Sequence, residues 1–370
     1  MILWGGGVRF SIAMATYNGS IFIKEQLASL EAQTYKPFEI VVVDDGSKDN
    51  TLEIVNYFAK SSNISFRIFT NEKNLGYSDN FFKSALLCEG DYICFCDQDD
   101  FWLPNKLEVV AQSIAENSPD LIVHSSFVVD VNLSVTDRLF PNFDKNSVIQ
   151  KRRGNPWESN VPGFSLVVNS SLLSKAVDWK NRPLASMNPE QMRNGHKIIS
   201  HDLMMYFLAH SFGVVSIISE PLVYYRMHKR NVCGAPVVKS YSSFLKRISS
   251  RLEKTINVGK FEYDFISEVA FSRRKWLLYY GKDLNIKYHQ SISSASEYWL
   301  VQYKIYKKRA AIYDRDTNFY DSLTGLINMY ISNSYISKKN GGLGYGAILK
   351  DFFVVIFYKN YKKIFNLKNS

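Results

Sequence analysis

The chain has 370 residues, 46% of them hydrophobic and 15% aromatic, enough to bury one large core or two domains. Its net charge of +10 is uneven: residues 1–236 carry 22 Lys and Arg against 25 Asp and Glu, and residues 237–370 carry 23 against 10. A split of −3 against +13 predicts a first domain over 1–236 and a basic, aromatic-rich helical region over 237–370, with different partners.

Residues 8–15 read as a first strand, followed by the turn Thr16-Tyr17-Asn18-Gly19. Phe22, Gln26, Leu27 and Leu30 then recur at helical spacing. Residues 39–43 are a second strand that ends in Asp44-Asp45-Gly46-Ser47, and Asp49 or Asn50 caps the next helix. Residues 64–69 are a third strand, and Asn74-Leu75-Gly76 turns into a helix through Phe81, Phe82 and Ala85. Tyr92 to Cys96 is a short, wholly apolar fourth strand, with Pro104 suited to the first turn of the helix through Leu107 and Val110. Four strand–helix alternations predict a largely parallel, doubly wound sheet covered on both faces. Further strands are expected at 121–129, 163–168, 214–218 and 222–226, with a loop over 137–162 that holds Lys151-Arg152-Arg153. Residues 183–197 read as a loop over the site, and Ser200 as the N-cap of a helix through Leu203, Tyr206, Phe207 and His210. Neither Gly-x-Gly-x-x-Gly after the first strand nor a P-loop motif is present. Met1–Gly7 is too short for a secretion signal, so Cys88, Cys94, Cys96 and Cys233 read as reduced cytosolic thiols.

The fourth strand stops at Asp97-Gln98-Asp99-Asp100. Open α/β sheets bind ligands at such carboxyl ends. Two carboxylates about 5 Å apart repel by roughly 3 kcal/mol at an effective dielectric near 20. Three are most easily held together around a cation, and oxygen ligands suit Mg²⁺ or Mn²⁺ bound jointly with substrate phosphates. A solvated acidic turn is the alternative. At the same edge Tyr17 is placed to stack on a base and Asp45 to accept from a pyrimidine imide N–H; a half-buried core aromatic and a plain Asp-Gly turn are the alternatives.

Ser11-Ile12-Ala13-Met14-Ala15-Thr16-Tyr17-Asn18-Gly19, Val43-Asp44-Asp45-Gly46-Ser47, Asn74-Leu75-Gly76, Cys96-Asp97-Gln98-Asp99-Asp100-Phe101-Trp102-Leu103-Pro104, His201-Asp202 and Tyr225-Arg226-Met227-His228 fall in one order. In that order they resemble glycosyltransferase family 2, whose members have the GT-A fold, and the acid motif is most similar to the rhamnosyltransferase-like branch. The resemblance covers roughly residues 8–235 and implies roles. Thr16, Tyr17, Asn18, Asp45, Asn74, Gly76 and Asp97 would surround the nucleotide of a UDP- or dTDP-sugar. Asp99 and His228 would hold the divalent ion, Asp202 would be the catalytic base, and Asp100, Gly163 and His201 are further candidates. Gly163-Phe164-Ser165 and Leu203-Met204 depart from the family pattern, where a smaller residue and aromatics are common.

The inventory fits that chemistry. A glycosidase needs two carboxylates because its leaving alkoxide must be protonated. A diphosphate leaving group, neutralised by a metal, needs no general acid, so one base suffices and inversion follows. A catalytically silent glycan- or nucleotide-binding protein and a membrane scaffold are the alternatives.

In the second region Phe261, Phe265, Val269, Arg273, Trp276 and Tyr280, then Trp299, Tyr303, Tyr306, Ala310 and Tyr313, follow helical spacing. Residues 241–252 and 348–364 are basic helix candidates. Aromatic faces with basic flanks suit the anionic inner leaflet of a cell membrane, which predicts a cytoplasmic, peripheral enzyme acting on a lipid-linked or oligosaccharide acceptor; a self-packed helical subdomain or dimer interface is the alternative. No nucleic-acid recognition motif accompanies the charge.

Overall fold

The computed structural model describes residues 7–150, 161–176, 179–185, 198–229, 231, 259–281, 289–314, 316–336 and 342–359. The chain divides into two compact units, one of residues 1–152, 158–181 and 200–236, the other of residues 153–157, 182–199 and 237–370.

In the first unit β1 (Phe10–Thr16), β2 (Glu39–Asp44), β3 (Ser65–Thr70) and β4 (Tyr92–Cys96) alternate with α1 (Ile23–Glu31), α2 (Thr51–Ser61) and α3 (Tyr77–Leu86). They pair in parallel in the order β3-β2-β1-β4. Every residue of β2 and β4 is buried. Strands buried on both faces read as continuous apolar runs, so the sheet is covered on both sides.

Beyond β4 the order continues β9-β6-β10-β5, with β5 (Phe101–Trp102), β6 (Leu121–Val129), β9 (Leu166–Asn169) and β10 (Val214–Arg226). Here β9 runs antiparallel to both β4 and β6, while β6 and β10 are parallel. Helix α4 (Lys106–Asn117) follows β5, α5 (Ser170–Leu173) follows β9, and α6 (His201–Phe212) precedes β10.

Three elements differ from the expectation. The loop over 137–162 holds strand β8 (Ser147–Gln150), which pairs with β10, and most of β7 (Val135–Leu139), which pairs with β6. Residues 163–165 form a 3-10 turn rather than the start of a strand, because the Ser165 amide and hydroxyl both return to the Pro162 carbonyl, at 3.0 and 2.7 Å. The two short strands at 214–226 are one strand, whose register shifts around Pro221.

The second unit contains α7 (Lys260–Tyr280), α8 (His289–Tyr313), α9 (Phe319–Ile331) and α10 (Tyr345–Phe353), the last continued by a π-helical turn over Val354–Lys359. Its core gathers Tyr263, Ile305, Ile312, Tyr313, Leu326 and Met329. A wholly buried Asp351 binds Arg309 at 2.6 and 2.9 Å and the hydroxyls of Tyr313 and Tyr335 at 2.8 and 2.9 Å, so the buried charge is paired and hydrogen-bonded. The expected stripes are largely interior. Val269, Trp276, Trp299, Ala310 and Tyr313 are buried, and the Arg273 guanidinium lies 4.7 Å from the Trp299 ring. Large apolar side chains are exposed on α9 (Tyr320, Ile327, Tyr330, Ile331) and α10 (Tyr345, Leu349, Phe352), and also at Phe261, Phe271, Leu278 and Tyr279 of α7 and Val301 of α8. The helix expected at 241–252, the basic run 151–153, most of the 183–197 loop and Cys233 lie outside the described residues.

Candidate active site

The carboxyl ends of β1, β2 and β4 carry three turns that lock together. Asp44 is buried, accepting from Thr16 Oγ1 at 2.8 Å on one oxygen and from the Gly46 and Ser47 amides at 3.1 and 2.8 Å on the other. Thr16 is therefore beneath the turn, its hydroxyl engaged by Asp44, and its side chain is not on the open edge. Asp45 is buried too. Its Oδ1 accepts from Asn71 and from the Leu75 amide, both at 2.7 Å, and its Oδ2 from the Gly76 amide at 2.8 Å. The Asn74 side chain closes the same turn, donating to the Asp45 carbonyl at 3.1 Å and accepting from the Gly76 amide at 3.1 Å, with Gly76 at φ +81°. Asp45, Asn74 and Gly76 thus brace one another. Tyr17 stands proud of them with 49% of its surface exposed. Asn18, at φ 47°, accepts from the Lys48 amide at 2.8 Å and donates its own amide to Ser47 at 2.9 Å.

Beside them the acid loop meets the end of β10. His228 Nε2 lies 2.8 Å from Asp99 Oδ2. Phe22 stacks on the imidazole, 4.8 Å between centroids. Phe22 in turn lies 4.6 Å from the Arg226 guanidinium. Arg226 is buried and donates to the Asp99 carbonyl at 2.9 Å, to the Val131 carbonyl at 2.7 Å and to Glu25 at 2.5 Å. Asp100 does not join the Asp99–His228 pair. It is wholly buried, accepts from the Arg226 amide at 3.1 Å, and anchors the end of β10. Burial, reinforced by the charges of Asp99 and Asp97, pushes its carboxyl well up.

Asp97 sits between two acids. Loss of solvation, then the charges of Asp99 and Asp202, push its carboxyl up to about 8. Asp202 lies in the first turn of α6, where Oδ1 accepts from the Leu203 amide at 2.7 Å and from the Ser200 hydroxyl. Ser200 is the N-cap residue, as expected, but its hydroxyl makes no cap hydrogen bond and turns to Asp202 instead. The buried His201 ring packs on Phe81 at 4.3 Å and Phe95 at 5.0 Å. It fills the space a side chain at residue 163 would need: a Cβ on Gly163 would stand 2.6 Å from His201 Nε2.

Three residues were not assigned roles by their sequence context. Gln98 brackets the backbone of Tyr17 with both ends of its amide. Arg226 was part of a motif but carried no role. Lys106 is wholly buried 3.5 Å from the Trp102 ring and donates to the Phe164 carbonyl at 3.1 Å, tying the acid loop's helix to the 163–165 turn. Burial pushes its amine down to about 8. A lysine in an amphipathic helix and a glutamine between acids give no signal of such contacts.

The donor set suits a divalent ion that completes its shell with substrate oxygens. Among the described residues no three His, Cys, Asp or Glu side chains converge on one point. Asp99 and His228 offer an oxygen and a nitrogen side by side, and the charges of Asp99 and Asp202, second to burial, add to the upward push on Asp97, a repulsion that a cation would relieve.

A family model for glycosyl transferase family 2 matches residues 11–174. The dTDP-rhamnosyl transferase RfbG of Shigella flexneri is 30% identical over 244 residues, covering 64% of this chain and 78% of that protein. The UDP-Glc:alpha-D-GlcNAc-diphosphoundecaprenol beta-1,3-glucosyltransferase WfgD of Escherichia coli is 31% identical over 122 residues, 33% of this chain and 47% of that protein. A solved structure of S. aureus TarS 1-349 in complex with UDP-GlcNAc superposes with a TM-score of 0.49 at 17% identity, covering 89% of this chain and 93% of that one. The rhamnosyl transferase among these relatives agrees with the form of the acid motif. With its α/β sheet and the motifs at its carboxyl edge, the chain belongs to glycosyl transferase family 2 and is a glycosyltransferase of the GT-A fold.

Proposed function

We propose that the chain moves a sugar, with rhamnose a leading candidate, from a UDP- or dTDP-sugar to a lipid-linked or growing saccharide in cell-surface polysaccharide synthesis, with inversion at the anomeric carbon. The observation that carries this reading is the 2.8 Å pairing of Asp99 with His228 at the sheet edge, with a separate carboxylate, Asp202, at the start of α6. The names of RfbG and WfgD support a nucleotide-sugar donor and a lipid-linked acceptor. Tyr17 lies under the base, with its turn braced by Asn18, Asp45, Asn74 and Gly76, and Asp97 lies beside the ribose. Asp99 and His228 would hold Mg²⁺ or Mn²⁺, which when bound neutralises charge on the leaving diphosphate.

The base is Asp202. Ser200 and Leu203 hold its Oδ1, and Oδ2 accepts no hydrogen bond among the described residues. The acceptor hydroxyl gives its proton to Oδ2 as its oxygen bonds to the anomeric carbon. The bond from that carbon to the diphosphate breaks, and the electron pair leaves with the diphosphate. Burial of Arg226 and Asp100 beneath the loop keeps the Asp99 backbone in place through the reaction.

The basic half seats the enzyme on the anionic cytoplasmic leaflet. This part of the reading is supported by the +13 charge of residues 237–370 and by the exposed apolar faces of α9 and α10, which carry no exposed acid beyond Asp321. Among the described residues no helix is long and apolar enough to cross a membrane.

The test is a panel of UDP- and dTDP-sugars with Mn²⁺, first without and then with lipid-linked acceptors, read by NMR of the product. Donor hydrolysis alone, and transfer with inverted configuration, are expected. Retained configuration would refute the single displacement. Nucleotide binding with neither hydrolysis nor transfer would make the chain a silent binding protein.

A further inference from the structure

We propose that Gln98 is a positioning residue that clamps the base-binding turn to the acid loop and so sets the affinity for the donor nucleotide. The proposal rests on the donor-site reading of Tyr17.

Gln98 lies between Asp97 and Asp99, yet its amide is engaged by the turn after β1. Oε1 accepts from the Tyr17 amide at 2.9 Å, and Nε2 donates to the Tyr17 carbonyl at 3.0 Å. Strand β1 ends at Thr16, so Tyr17 has left the ladder, and Gln98 supplies both partners that a neighbouring strand would have supplied. The Tyr17 ring remains half exposed while its backbone is fixed.

The clamp also explains a glycine. Gly19 does not have the positive φ that Gly46 and Gly76 have. A Cβ there would instead stand 2.2 Å from Gln98 Oε1 and 2.4 Å from its Cδ. Residue 19 is therefore bare because the Gln98 amide passes over it. The far side of the turn is held independently, by the Asn18 amide on Ser47 at 2.9 Å and the Gly19 amide on Thr51 at 2.8 Å. Removing Gln98 should free the Tyr17 end alone.

A residue that acts through Tyr17 has a signature that general loosening lacks. Its loss raises the donor KM and leaves kcat in place, and it has nothing left to lose once the Tyr17 ring is gone. Gln98→Met keeps the length of the side chain and removes both hydrogen bonds. In the full-length protein with Mn²⁺ and UDP or dTDP, Gln98→Met should raise the calorimetric Kd and the donor KM about tenfold, a change of about 1.4 kcal/mol, with kcat within about twofold. Gly19→Ala, which pushes the amide aside, should do the same. Added to Tyr17→Ala, Gln98→Met should change Kd by less than about twofold. A fall in kcat at unchanged Kd, or an undiminished effect in the Tyr17→Ala background, would overturn the clamp while leaving the donor site intact. If Tyr17→Ala itself leaves the Kd unchanged, the placement of the base fails and the clamp falls with it.

Discussion

Asp202 combines one braced oxygen with one that accepts no hydrogen bond among the described residues, an arrangement suited to accepting a proton in a fixed direction. Asp202→Asn preserves the shape and can still accept from Leu203, but it removes the basicity. Transfer should fall roughly 10²-fold or more while nucleotide binding survives, and near-normal transfer would leave Asp202 a helix-start residue only. A second residue contributes to acid sensitivity, beside the buried His124, whose imidazole burial also pushes down. His210 on α6 is buried, and loss of solvation pushes its imidazole down from 6.5 to about 4. Between those values the unfolded chain binds the proton that the folded chain refuses. Stability is whole above pH 6.5 and falls as pH drops toward 4, by roughly 3 kcal/mol for this group. His210→Gln should flatten that part of the stability–pH curve, measured by denaturant melts; an unchanged slope would contradict it. At this scale the sequence pointed to the acids and His228, because turns that follow buried strands are where charges collect, and the structure brings Asp99 and His228 together. It could not show that Thr16 and Asp45 are engaged inside their own turns, nor that Gln98 faces Tyr17, since those are facts of side-chain direction.

The site's elements are joined by tight contacts across distant parts of the chain. Lys106 on α4 reaches the carbonyl of Phe164, and His201 on α6 occupies the space left bare at Gly163. Gly163→Ala should therefore push against the start of α6, lowering the melting temperature by the equivalent of about 1–3 kcal/mol and displacing Asp202. Replacing His201 by serine in the same chain should recover part of the loss; a Gly163→Ala variant with parental melting and transfer would show that the turn yields freely. The parallel core was legible because the apolar runs of β1, β2 and β4 end in turn residues. Strands β7 and β8 were not, since Val135–Leu139 is largely exposed and polar in pattern and takes its place by pairing at the sheet's far side. The register shift near Pro221 likewise hid the continuity of β10.

Over the whole molecule, the charge asymmetry follows a division into an α/β unit and a helical one. The aromatic stripes of α7 and α8 looked like a surface and are mostly a core; helical spacing reports that a face is apolar but not what covers it. Exposed apolar residues lie on α9 and α10, with others on α7 and at Val301 of α8. Each Lys or Arg near an anionic surface contributes about 1 kcal/mol, decaying over a Debye length of about 8 Å at physiological salt. Full-length protein should bind anionic liposomes at low salt, and Ile331→Asp combined with Leu349→Asp should weaken that binding without altering nucleotide affinity. Liposome binding that is absent in the parent would refute the leaflet reading, and binding unchanged in the double variant would move the contact elsewhere. The central claim, a donor site built on Asp99 and His228, is tested most directly by calorimetric titration of UDP and dTDP with and without Mn²⁺, on the parent and on Asp99→Asn. One of the two nucleotides should bind the parent far more tightly with Mn²⁺, and Asp99→Asn should abolish that gain. Nucleotide and Mn²⁺ binding by Asp99→Asn equal to the parent's would contradict it.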